Sequence, residues 1–207
     1  LFISVNFNLF ENTIFIVDQI GRSGFTIPYL DGSLSISRAS RTYPQFLIFK
    51  PAMILTSLLL YFYWKKNIVF INYFNGISNK NYNFKTLGIL SAICLTLHSL
   101  LLGVEVDLKI FKLLRRIVLL SFIIFEIMAQ GFLVYNLYKI KNKIKDLINK
   151  YVLNIKILLV GILSLVAVLS IPILITKGDV HFKHMLEWNY FVGVIIFYFL
   201  TYVFWKK

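Results

Sequence analysis

Long apolar runs alternate along the chain with short polar stretches rich in lysine. Five runs, at 46–64, 86–104, 117–138, 157–176 and 188–205, are broken only by isolated polar residues. About 20 residues at 1.5 Å rise cross a bilayer core. The runs are continuous rather than alternating, and each is about twice the length of a membrane barrel strand. Helices, which satisfy their backbone internally, are the form such runs take in lipid. The pattern predicts an all-α polytopic transmembrane helical bundle with five complete spans. Pro51 falls in the first turns of its span, where a missing N–H costs little. Pro172 falls in the last turn of the fourth, where it kinks or frays the helix. Residues 1–45 read as a truncated first helix or an interfacial segment, followed by an outer loop. Residues 1–10 are apolar but interrupted by Asn6 and Asn8. Restoring a helix there gives six spans.

Composition agrees with the pattern. Only 15% of residues are charged, against about 25% in soluble domains, which excludes a soluble globular enzyme. The net charge of +13 would point to nucleic acid in a soluble chain. Here the basic residues flank apolar runs, so topology explains them and no nucleic-acid partner is expected. Lys65, Lys66, Lys80 and Lys85 follow the first complete span without an acid. Lys139, Lys141, Lys143, Lys145, Lys150 and Lys156 stand against Asp146, and Lys206 and Lys207 close the chain. Lysine stays inside, so these connections and the C-terminus are expected in the cytoplasm; in a bacterium the membrane would be the inner one. The tract 139–145 could hold anionic headgroups at about 1 kcal/mol per basic residue, or only anchor two helices. A general bias toward Lys, Asn, Ile and Phe favours the second reading. The single Cys94 lies within a run, which leaves no disulfide within the chain and no cysteine zinc site.

Polar groups inside spans are costly and usually face the bundle interior. Glu126 lies midway along its run, with Gln130 one turn on. The pair could relay a proton, or staple helices together as neutral hydrogen-bonding groups. Ser91, Cys94, His98 and Glu105 share a stripe of the preceding span. They read as the lining of an outward cleft or as a packed seam. His181, His184 and Glu187 recur every three residues before the last span. The histidines are weak zinc candidates, because no HExxH accompanies them. No metal or other cofactor is expected, and no phosphate-cradling or nucleophile-elbow motif occurs.

The richest outer stretch is 28–50. Asp31-Gly32 signals a turn, Ser33, Ser35 and Ser37 alternate with Leu34 and Ile36, and Arg38 and Arg41 could bind a phosphate or carboxylate. Tyr29, Leu30, Ser33, Leu34, Ser35, Pro44, Gln45, Ile48, Phe49 and Lys50, with Met185-Leu186-Glu187-Trp188 at the start of the last span, carry a resemblance. The chain resembles the FRAG/DRAM/SFK family over roughly residues 24–205, and within it the post-GPI-attachment lipid-remodelling branch. Asp31-Gly32 stands where that branch tends to have proline. The resemblance implies six membrane helices, with this loop on the lumenal or extracellular side, and lipid as partner.

The expected function is to bind, or help to remodel and organise, lipid at the outer leaflet. Tyr29, Ser33, Ser35, Arg38, Arg41, Glu187 and Trp188 would lie around the headgroup, with His98, Glu126 and Gln130 below. The alternative is a non-catalytic adaptor or assembly subunit, whose partners would be other membrane proteins. A membrane hydrolase or acyltransferase is a third class. It requires His98, His181 or His184 within reach of an acid or a metal.

Overall fold

The computed structural model describes residues 27–40, 45–76, 82–102, 108–175 and 180–206. Two single-turn helices, α1 (Pro28–Asp31) and α2 (Ile36–Ala39), precede five long ones. These are α3 (Gln45–Asn75), α4 (Asn83–Leu101), α5 (Lys109–Ile140), α6 (Lys150–Ile175) and α7 (Val180–Phe204). The five long helices are each extended and apolar enough to cross a membrane. Among the described residues there is no strand, only an isolated antiparallel bridge between Ile148 and Trp205. Each long helix packs on the next in sequence, α3 also touches α5, and α1 and α2 rest on α7. Sequence neighbours joined by short connections pack side by side, as in other helical bundles. Residues 1–26, including the expected first helix, lie outside the described residues.

The distribution of polarity fits lipid. Leu55, Leu58, Leu59 and Phe62 on α3, and Ile195, Ile196 and Phe199 on α7, are exposed. Ser57, Ser91, Ser99, Glu126, Gln130 and Lys156 are buried. In water this arrangement would leave the apolar effect unused. In a bilayer, hydrogen bonds and tight packing between helices hold the bundle while apolar side chains face acyl chains. The chain is an integral, multi-pass membrane protein. Its main core gathers Leu60, Trp64 and Ile68 of α3, Phe84 of α4, Leu133 and Leu137 of α5, and Phe197 and Phe204 of α7. Trp64 reaches that position because Gly88 faces it. A Cβ at Gly88 would overlap the indole ring.

The helices run further than the apolar runs. α3 continues eleven residues past Trp64, so Lys65 and Lys66 lie on a helix, not in the following loop. The cause is periodic burial: Leu60, Trp64, Ile68 and Ile71 are buried at helical spacing. The two lysines occupy the exposed face between them and carry their charge outward on long stems. α6 starts at Lys150, where the Asn149 side chain accepts the Tyr151 amide at 3.0 Å, an N-cap. Lys150 and Lys156 therefore belong to the helix. His181, His184 and Glu187 likewise lie within α7. The alternation across Ser33–Ser37 does not form a strand, because α2 begins at Ile36.

Candidate functional site

The 27–40 segment builds itself locally and then docks on α7. Asp31 accepts the Ile27 amide on Oδ2 and the Ser33 amide on Oδ1, both at 2.8 Å. Partial desolvation pushes this carboxyl up. The Ser33 and Ile27 bonds and the nearby His181 outweigh it and hold the group below its ordinary value. Gly32 then turns the chain at φ 61, donating to the Pro28 carbonyl, the left-handed cap that glycine adopts without strain. A Cβ at Gly32 would also collide with the His181 backbone, so the turn and the close approach each require glycine.

Four side chains of α7 grip this loop. His184 Nδ1 lies 3.0 Å from the Gly32 carbonyl, so that ring nitrogen carries the proton. Glu187 accepts the backbone amides of Ile36 and Ser37. Trp188 donates its indole N–H to the Leu34 carbonyl at 2.7 Å. Asn189 donates to the Tyr29 carbonyl at 2.9 Å. Leu34, Ala39 and Trp188 close an apolar cluster beneath. The 27–40 segment and the start of α7 therefore meet in one junction, although about 150 residues separate them. Within it Ser35 is buried and bonds Ser37 Oγ at 3.2 Å. The Ser33 side chain lies against Asp31. Tyr29 and Leu30 face outward, 43% and 68% exposed. Arg41 and the Arg38 side chain lie outside the described residues.

A second polar cluster is buried between α4, α5 and α7. Glu126, fully buried, accepts Gln130 Nε2 at 3.0 Å and the Tyr198 hydroxyl on Oε1. Its Oε2 lies 2.6 Å from Ser91 Oγ, which is also 2.8 Å from the Gly88 carbonyl. A serine hydroxyl has one proton for these two acceptors. Both are satisfied when Glu126 carries its own proton and shares it with Ser91. In that form the cluster joins three helices through Ser91, Glu126 and Tyr198, while Gln130 Oε1 is buried without a hydrogen-bond partner among the described residues. His98 is also buried, 8% exposed, with its Nδ1 unbonded and the Arg115 backbone as partner. It lies two turns from Ser91, roughly 10 Å along the helix, and is not joined to the Glu126 cluster. Glu105 lies outside the described residues.

Lys156 was hidden in sequence among loop lysines, yet it is 1% exposed. Its Nζ donates to Thr201 Oγ1 at 2.6 Å and sits 4.0 Å above the Phe197 ring and 5.6 Å from that of Phe204. Tyr63 approaches Thr201 with its hydroxyl at 3.4 Å and packs edge-on against Tyr198 at 5.0 Å. The lysine's position within six residues of the helix start concealed its burial. Nothing in the local pattern singled out Tyr63, Tyr198 or Thr201.

His181 is exposed and His184 is engaged by Gly32. Among the described residues no three His, Cys, Asp or Glu side chains converge as metal ligands would. No known family, curated protein or solved structure matches the chain.

Proposed function

We propose that the protein binds a membrane lipid headgroup where α1 and α2 meet α7, on the non-cytoplasmic side, and so helps to organise or remodel lipid in that leaflet. The observation that carries this reading is the grip of Glu187 and Trp188 on the backbone of residues 34–37. It joins the two stretches on which the family resemblance rests. Glu187 and Trp188 act as positioning residues, since the loop itself takes up their polar atoms. The outward Tyr29 and Leu30 have the amphipathic and apolar character of interfacial contacts. Arg38 and Arg41 supply the cations for a phosphate. The lysine-rich connection between α5 and α6 and the C-terminal tail lie in the cytoplasm in this orientation.

Native mass spectrometry of the gently extracted full chain tests the reading. Co-purifying lipid is expected, with loss in the Arg38→Gln, Arg41→Gln double variant. Unchanged lipid in that variant overturns the headgroup site. Cysteine placed at Ser37 and labelled only from the cytoplasm would overturn the orientation.

The adaptor reading has one observation in its favour. Glu126 is consumed by bonds to Ser91 and Tyr198 of neighbouring helices and to Gln130 of its own. It predicts a stoichiometric membrane-protein partner in the same spectra and no selective lipid.

A further inference from the structure

At the other end of the bundle, the connection between α5 and α6 meets the end of α7 in a cleft of about 360 Å³. Lys145, Lys150 and Lys206 line it, with Asp146 and Tyr151. Backbone pairing holds its walls. The Asn149 amide donates to the Phe204 carbonyl and the Lys206 amide to the Leu147 carbonyl, both at 2.9 Å. These bonds flank the Ile148–Trp205 bridge. Lys206 Nζ donates to the Lys145 backbone carbonyl at 3.1 Å, which holds that ammonium against the α5–α6 connection.

The lysines of this surface divide by what they touch. Lys139 lies 4.4 Å above the Tyr135 ring and Lys141 lies 3.6 Å above that of Tyr138. Lys143 donates to the Phe74 carbonyl at the end of α3 at 2.9 Å. Those three have their ammonium groups engaged by a ring or a carbonyl, as Lys206 does, whereas Lys145 and Lys150 have no such contact among the described residues. The three that line the cleft form no ion pair among the described residues, and one aspartate faces them. A tract that only set topology would need charge, but not three lysines gathered around one open cleft. Tyr151, 80% exposed, and Trp205, 42% exposed, flank the site as interfacial aromatics do.

We propose that this cleft binds the phosphate-bearing headgroup of an anionic phospholipid in the adjacent leaflet. Lysine ammonium groups bind phosphate as point charges, and walls held by backbone bonds reduce the ordering cost of binding. The inference is independent of the proposed lipid site at α1 and α2, which lies at the opposite surface.

The test uses the full chain in nanodiscs of phosphatidylcholine with a minor fraction of phosphatidylglycerol, and native mass spectrometry counts retained lipid. Wild type should retain phosphatidylglycerol selectively. The Lys145→Gln, Lys150→Gln, Lys206→Gln triple variant should lower that retention on the order of 100-fold, and each single variant roughly 5-fold. A control double variant at the exposed Lys65 and Lys66 should stay near wild type, against roughly 25-fold for any two of the cleft lysines. Equal loss per lysine removed in the cleft and control variants overturns the site in favour of diffuse attraction. In phosphatidylcholine discs with inorganic phosphate added, phosphate bound to a protein that shows no selectivity for phosphatidylglycerol would overturn the assignment to a lipid.

Discussion

Replacing Glu126 separates a neutral staple from a charged or dispensable group. With alanine at 126, the Gln130 amide and the Tyr198 hydroxyl lose their acceptor inside a buried cluster, while Ser91 keeps the Gly88 carbonyl. An orphaned buried donor costs about 1–3 kcal/mol. Bonds between membrane helices are worth roughly 0.6 kcal/mol on average, because the unfolded chain finds other partners. Together with the cavity left behind, Glu126→Ala should lower stability by about 2–4 kcal/mol. Glu126→Gln keeps the shape. Its carbonyl accepts from Gln130 and Tyr198, and its amide donates to Ser91 as the protonated carboxyl does, so its cost should stay below about 1 kcal/mol. A double-mutant cycle with Tyr198→Phe should give a coupling of about 0.6–1.7 kcal/mol. Reversible unfolding in mixed detergent micelles, followed by tryptophan fluorescence, measures all of these. Glutamine as costly as alanine would refute the neutral staple, and zero coupling to Tyr198 would refute the bond.

Gly88→Ala should cost about 1–3 kcal/mol by overpacking against Trp64, read in the same micelles; an unchanged midpoint would contradict that contact. Lys156→Met keeps the volume but removes a buried amine that no carboxylate among the described residues pairs with, so stability should hold or rise, and a lowered thermal midpoint would count against this. Gly32→Ala should release the 27–40 loop from α7, seen as faster amide exchange across 33–40 with the long helices unaffected. Asp31 has its carboxyl held below its ordinary value. The docking it provides is therefore complete above the unfolded carboxylate range and lost as pH falls through the lower folded value. Protection of the 33–40 amides, taken relative to their intrinsic exchange at each pH, should fall with acid, and Asp31→Asn should weaken that dependence while leaving any contribution of Glu187.

The five spans were legible because a bilayer demands a length of apolar chain that few other structures contain. Their ends were not. Hydropathy stops at Lys65, but burial at Ile68 and Ile71 carries α3 to Asn75. Glu126 and Gln130 were legible as interior groups by cost alone. Their partners Ser91 and Tyr198 come from other helices, and only packing supplies them. Lys156 was misread as a loop residue because a lysine beside other lysines carries no sign of the aromatic rings that enclose it. Glu187 stood out by its spacing from His181 and His184, while its contact, and that of Trp188, with residues 34–37 needed the fold.

α7 is tethered at both tips: His184, Glu187, Trp188 and Asn189 fasten one, and the pairing of residues 204–206 with 147–149 fastens the other. A helix of 25 residues is a rod of about 37 Å. Tilting or sliding it cannot stay local. A piston-like stroke that tugs the loop on one face of the membrane must strain the lysine-lined turn on the other, so the two surfaces are mechanically geared through a single shaft.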